Sequence, residues 1–331
     1  MPNPQPMVEL WRGGLLESTH AGHAVICDAS GVVEAWGDPA AVIFPRSSCK
    51  MIQALPLVET GAADAVGLTE AHLAFACASH QGERRHVTMA ADWLSTIGLS
   101  EPALRCGAHE PYDRVERNRL IKTDASPCQL HNNCSGKHCG FLTVTQHLGA
   151  GPEYVEIDHP LQRMIRDATE EVTGETVAGH GIDGCSAPNF AVSVTGLARA
   201  MASFAAATGR GGVRDRAMHR VTHAMMAFPE LVAGEGRACT ELMRAMDGRV
   251  ALKTGAEAVF VAILPEQKLG MALKITDGGT RGAEAAITSL LVRAGVLDPN
   301  HPAALKRLGG RQTNWRGLET GVTRAAPGFP G

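Results

Sequence analysis

The chain lacks the features that would commit it to a membrane, to nucleic acid or to an oxidising compartment. Its longest strongly apolar run, residues 258–264, is far short of the roughly 20 residues that cross a bilayer. The opening MPNPQPMVELW has neither a basic head nor a following apolar stretch, so no targeting segment is expected. No run of Lys or Arg forms a stripe, and the formal net charge is −3, which is the wrong footprint for tracking phosphates. Nine cysteines are an odd number scattered over 331 residues, which argues against a disulfide framework and for free thiols or metal ligands. The expectation is a cytoplasmic protein with no nucleic acid and no membrane as partner.

Lysine is scarce as well: seven stand against 24 arginines. Arginine cannot lose its proton in a protein, whereas a buried lysine can, and only a neutral amine serves as a base or a metal ligand. Lysines that survive such a bias are therefore candidates for chemistry, and Lys50, Lys137 and Lys253 all fall in the motifs described below.

What is present is a hydrophobic content of 44%, enough for a large core in one big domain or two closely packed ones. Up to about residue 44, short apolar or alternating runs such as HAVICD and GVVEAWG are separated by Gly and Asp-Pro punctuation and predict an antiparallel meander. From about residue 47 to 246 the period changes to 3.6, as in TEAHLAFACAS, HPLQRMIRDATEEV and PNFAVSVTGLARAMASFAAA, and predicts helices. Two strands then return over 256–264 and 269–275, followed by a helix over 282–294, and the tail after Gly309 is expected to wrap over the surface or fray. The predicted fold is α+β: residues 1–50 and 247–331 form one antiparallel sheet from both chain ends, residues 51–246 are an inserted, mainly helical part, and a cleft lies between the two.

Ser47-Ser-Cys-Lys50 follows the last strand of the meander and opens a helix, where residues three apart share a face. A desolvated lysine can take the proton of a serine hydroxyl. Lowering its pKa from about 10.4 to about 7.5 requires roughly 4 kcal/mol of differential interaction. S-x-x-K is weak alone, but Lys253-Thr-Gly255 supplies the K-T-G that accompanies it in serine β-lactamases and penicillin-binding proteins. Their S-D-N element is absent. In its approximate place stands Cys77-Ala-Ser79-His80-Gln81-Gly-Glu83, with Ser79 as a second hydroxyl or an ordinary turn residue.

The densest segment is His131-Asn-Asn-Cys134-Ser-Gly-Lys137-His138-Cys139-Gly140. Cys134 lies three residues before Lys137 and four before His138, so either pair faces one point if a helix starts there. Gly184-Cys185-Ser186 offers another soft donor. Thiolate, imidazole and neutral amine suit zinc, although the spacing meets no standard zinc-finger pattern, and a thiol-lined polar turn is the competing reading.

The blocks FPRSSCKMIQALP, ACASHQGE, HNNCSGKHCGF, GIDGCSAPNF, GEGRACTELM, KTGAEAVF and ALKITDGGTRGAE resemble the successive blocks of the Rhizobium etli type, or class 3, L-asparaginases, from about residue 9 to 297. The resemblance implies a fold like that of serine β-lactamases and glutaminases, and two Ser-Lys pairs, Ser47 with Lys50 and Ser79 with Lys253, the latter lysine preferred to Lys274 for its K-T-G-A-E context. It implies zinc on Cys134, Lys137 and Cys185, with Arg46, His80, Asn133 and Asp183 around the substrate, L-asparagine. It also implies a homodimer. The chain departs from the family at Cys139, usually a small residue, and at Ala258, often Gly. Two alternatives stand beside L-asparaginase: a glutaminase or β-lactamase-like amidase or esterase, and a non-catalytic zinc-binding sensor.

Overall fold

The computed structural model describes residues 3–331. They divide into two compact units: residues 3–48 with Val192–Ala206 and Glu241–Gly331, and Cys49–Ala191 with Ala207–Thr240.

In the first unit the alternating runs become strands β1 (Gln5–Arg12), β2 (Leu15–Asp28), β3 (Gly31–Trp36) and the short β4 (Val42–Ile43). Strand β5 (Gly179–Ile182) belongs to the second unit, and β6 (Pro188–Ser193) runs from the second into the first. The return adds β7 (Ala251–Gly255), β8 (Val259–Leu264), β9 (Leu269–Ile275), β10 (Arg311–Thr313) and β11 (Glu319–Ala325). One sheet runs in the order β10-β11-β1-β2-β9-β8-β7, with β3 also on β2, and each paired neighbour is antiparallel. The ladder from Gly22↔Ile275 to Cys27↔Gly270 joins the two chain ends, so the α+β sheet built from both termini is present.

Strand β8, VFVAIL, is buried at every position, which means that both of its faces are covered. Helix Val194–Ala206 packs on β9 and β2, and Thr280–Arg293 packs on β8 and β9. Gly270 makes the first approach feasible, because a Cβ there would lie 2.0 Å from the Ala202 nitrogen. That helix lies in the sheet unit although it falls within residues 51–246.

Three local readings change. PNFAVS, read as helical, is strand β6: a proline at its first position followed by aromatic and β-branched residues suits an extended segment better than a helix. The end of β6 pairs with β4 through Ile43↔Val192, and its start pairs with β5 through Ile182↔Pro188. The tail does not fray, since β10 and β11 form a hairpin and β11 extends the sheet along β1 from Val8↔Ala325 to Trp11↔Val322. The strand expected over 256–264 begins only at Val259, with residues 256–258 as a loop, and Lys253-Thr-Gly255 ends a separate strand, β7.

The second unit is built around helix Ser135–His147, which is buried continuously from Ser135 to Thr145, as expected for a helix enclosed on all sides. Gly136 permits this: its Cβ would sit 2.2 Å from the Phe75 carbonyl oxygen, so helix Glu70–Ala76 approaches to backbone contact. On another side, Trp93 of helix Arg84–Thr96 donates through Nε1 to Thr143 Oγ1 at 3.0 Å. Among the described residues no helix is long and apolar enough to cross a membrane.

Candidate active site

After β4 the chain turns at Arg46, whose φ of 53° is left-handed for a residue with a Cβ. That conformation costs roughly 1–2 kcal/mol and persists where the surroundings enforce it. Ser47 follows, half-buried, in the 3-10 turn Arg46–Cys49, and helix Lys50–Gln53 begins directly after it. The turn is closed by Ser48, which donates to the Pro45 carbonyl through its backbone nitrogen (3.1 Å) and its Oγ (2.7 Å).

In the same unit the end of β7 presses on this turn. A Cβ on Gly255 would lie 2.6 Å from the Pro45 oxygen and 3.0 Å from the Ser48 nitrogen, so the glycine of K-T-G is what lets the strand approach. Lys253 is two residues earlier and therefore on the same face of β7. Its side chain is 1% exposed and its amine donates to the Thr254 carbonyl at 2.6 Å. Lys274, the second choice for this role, donates to the Glu257 carbonyl, and its pKa is lowered chiefly by burial, with the Arg46 charge adding to the effect against Glu257.

In the second unit Lys50 is also 1% exposed, and its amine donates to the Ala78 carbonyl and, at 3.5 Å, to that of Asn133. Ser79 is the next residue after Ala78, in the loop that follows helix Glu70–Ala76, and its nitrogen donates to Val232 O at 2.9 Å. The His80 nitrogen donates to Asn133 O at 3.2 Å. Lys50, Ser79, His80 and Asn133, which sequence alone scattered over 84 positions, are thus tied together through two carbonyl oxygens.

The His80 ring is fully buried and packs against the rings of both Phe75 and His86, with centroids 5.1 and 4.7 Å away. Its Nδ1 accepts from the Gly82 N–H at 3.1 Å, which leaves Nε2–H to donate to Ser135 Oγ at 2.9 Å. Burial first, then the neighbouring His86, holds it well below the usual histidine range, so the ring is neutral. Both ring nitrogens are committed to the chain itself, and His80 acts as a brace for the Ser79 loop.

Helix Ser135–His147 starts with Cys134 as its N-cap, which puts Lys137 and His138 on the face below that cysteine. Cys185 comes from a tight turn in which the Asp183 nitrogen donates to Ala187 O at 2.9 Å and Ser186 takes φ 68°. The Lys137 amine donates to Cys185 Sγ at 3.0 Å, and Cys134, Lys137 and Cys185 are each 3–4% exposed. A hydrogen bond from the Cys134 thiol, followed by the Lys137 charge, holds Cys185 well below the usual thiol range, while that bond and burial push Cys134 up to about 12. Burial alone would lower Lys137, but the two sulfurs outweigh it and raise its pKa. Without a metal the trio is a thiolate, an ammonium and a thiol.

Among the described residues no group of three or more His, Cys, Asp or Glu side chains is placed to hold a metal. The Cys134, Lys137 and Cys185 set reaches three donors only by counting the amine. Two buried sulfurs and an amine form a soft donor set whose chemistry fits zinc once Lys137 and Cys134 release their protons.

Two side chains of this unit have roles that the sequence reading did not single out. Tyr154 OH accepts from the Arg105 N–H at 2.7 Å and donates to His138 Nδ1 at 2.8 Å, fixing the ring next to Lys137. Glu83 accepts from Gln81 Nε2 and from the Glu235 nitrogen, both at 2.7 Å, and clamps the loop after Ser79. Tyr154 is one of only two tyrosines, and that rarity was the available clue.

Solved structures with similar chain traces include a β-lactamase from Mycobacterium bovis (16% identity, 83% of this chain and 95% of that one, TM-score 0.47). Another is Mglu in its native form (14%, 84% and 66%, TM-score 0.48). No protein with a curated function matches significantly. The family model of L-asparaginase II matches residues 8–325, nearly the whole length, and the chain therefore belongs to the L-asparaginase II family.

Proposed function

We propose that this amidohydrolase-family chain cleaves the side-chain amide of L-asparagine to L-aspartate and ammonia through a serine ester. The observation that carries the reading is the burial of Lys50 and Lys253, each 1% exposed, in a chain that otherwise uses arginine as its cation. A lysine kept from water is the base that a serine hydroxyl requires. Ser47 Oγ attacks the amide carbon while Lys50 takes the hydroxyl proton and returns it to the departing ammonia. Ser79 and Lys253 support proton transfer as water then hydrolyses the β-aspartyl ester. Arg46 and Asp183 supply opposite charges for the two ends of the amino-acid moiety, and Asn133 supplies an amide.

Zinc, held by Cys134, Lys137 and Cys185, would orient the substrate rather than activate water, because two thiolates reduce its Lewis acidity. A homodimer and a cytoplasmic location belong to the same proposal and rest on the family resemblance.

Ammonia release tests the reading. L-Asparagine should be turned over well above L-glutamine, and a chromogenic cephalosporin should not be opened. Preference for glutamine or for the cephalosporin would favour the glutaminase or β-lactamase-like reading, and tight asparagine binding without ammonia would favour a sensor. Full activity in both Ser47→Ala and Ser79→Ala, together with loss in Cys134→Ala, would sink the Ser-Lys mechanism.

A further inference from the structure

Among the described residues seven other than glycine have a left-handed φ, and three of them fall in two segments of the sheet unit that press together. Arg46, at 53°, opens the Ser47 turn, while Glu257 and Ala258, at 57° and 58°, form the bend between β7 and β8. The two segments meet where Gly255 faces the Pro45 oxygen. Two successive positive φ values are what tight hairpin turns reserve for Asn-Gly, and neither Glu nor Ala suits them, because each Cβ crowds its own backbone. A bend of this kind persists only where its surroundings hold it.

The groups that hold it come from the end of β9 and the turn that follows. The Lys274 amine donates to the Glu257 carbonyl, and the Ile275 nitrogen donates to the Ala258 carbonyl at 3.1 Å. The Glu257 carboxylate lies over Gly278, where a Cβ would come within 2.9 Å of Oε2. This turn is itself fixed, since Asp277 accepts from the Gly279 nitrogen at 2.7 Å and meets His20 Nδ1 of β2 at 2.6 Å. Lys274 is half-buried and anchored in the ladder between Val259 of β8 and His23 of β2, so its amine reaches the bend from a rigid base.

We propose that Lys274 is a positioning residue for the Ser47 turn: its ammonium straps the Glu257–Ala258 bend in a conformation the bend would otherwise leave, and so keeps Gly255 against Pro45. The amine fixes the Glu257 carbonyl, the bend fixes Gly255 opposite Val259, and Gly255 bears on Pro45 and Ser48, on either side of Ser47. In this role Lys274 takes no proton from serine or substrate. Its effect on turnover rests on the proposed asparaginase reading, but the strap does not.

The test combines Lys274→Met and Lys274→Arg with Glu257→Gly, since glycine adopts the bend at no steric cost. Lys274→Met should speed hydrogen exchange at the Ile275 amide, which donates to the bend, by at least about tenfold relative to the Ala272 amide in the middle of β9. For ammonia release it should lower kcat by at least about tenfold with KM within about twofold. Lys274→Arg, which can still donate to a carbonyl but cannot act as a base, should keep more than about a third of the wild-type kcat. Glu257→Gly should stay within about twofold of wild type, and in that background Lys274→Met should cost no more than about threefold, whereas a merely structural lysine would cost the same in both. Wild-type exchange at Ile275 in folded Lys274→Met, equal losses of kcat in the two backgrounds, or an arginine variant as inactive as the methionine one would overturn the proposal. So would a Lys274→Met chain that folds in neither background, because the lysine would then hold the sheet and not the bend. Absence of ammonia from wild-type enzyme would count against the asparaginase reading alone, and the exchange comparison would still decide the strap.

Discussion

Gly255→Ala probes the arrangement of the Ser47 turn with a single methyl group. The new Cβ would stand 2.6 Å from the Pro45 oxygen and 3.3 Å from Ser48 Cβ, whereas ordinary contact begins near 3.4 Å. To relieve the first of these, the end of β7 or the Pro45–Ser48 turn must shift by about 0.8 Å, and neither is a flexible side chain that can swing away. Overpacking of this kind costs about 1–3 kcal/mol, which for a chain of this size lowers the midpoint of thermal unfolding by a few degrees. The effect on catalysis is larger in proportion, because a misplacement approaching 1 Å between nucleophile and substrate costs about a hundredfold. The assay is kcat/KM for ammonia release from L-asparagine, measured well below the unfolding midpoint so that folded enzyme is compared with folded enzyme. Gly151→Ala, where nothing lies within 4 Å of the added Cβ, should change neither quantity. Gly255→Ala with activity within twofold of wild type would refute the claim that this contact positions the nucleophile.

Three further outcomes are expected. His80 is neutral in the fold and its pKa is depressed, so it takes up a proton on unfolding below about pH 6.5; its contribution is present above that pH, and each unit below removes about 1.4 kcal/mol until the folded pKa is reached. Denaturant unfolding from pH 7.5 to 5 should show this fall, and a flat profile would contradict the neutral brace. Lys137→Ala should weaken zinc by at least about a hundredfold in competition with a chelator, while wild-type affinity in that variant would remove the lysine from the ligand set. Lys268, exposed in the turn after β8, holds φ 54°, so Lys268→Gly should raise the unfolding midpoint through relief of about 0.5–1 kcal/mol, and a lower midpoint would contradict that reading.

Much of this architecture was legible because the chain changes period. Alternation gave the strands of the N-terminal meander, and the apolar run within 256–264 gave a strand, which the structure then shows buried at every position. PNFAVSVTGLARAMASFAAA was misread because one continuous apolar stretch holds a buried strand and then a buried helix, and periodicity cannot mark the join at Ser193 and Val194. The tail was misread because Gly and Arg obscured the alternation of GVTRA, whose partner strand is more than 300 residues away.

At the site, short-range spacing carried real information: Cys134 and Lys137 share a helix face, and Lys137 reaches Cys185. Long-range pairings left no local trace. Nothing in the sequence tied Lys50 to the carbonyls of Ala78 and Asn133, or Lys274 to that of Glu257. Nor did the glycine of K-T-G announce that its missing side chain is filled by the Pro45 carbonyl.

The central claim is that a serine carries the aspartyl group, and rapid acid quench of the enzyme with labelled L-asparagine tests it most directly. The account predicts a transient ester, one per active chain, that maps to Ser47 and disappears in Ser47→Ala. Steady ammonia release with no protein-bound label at any time in the first turnover, or label that maps to a cysteine of the 131–140 segment, would contradict it.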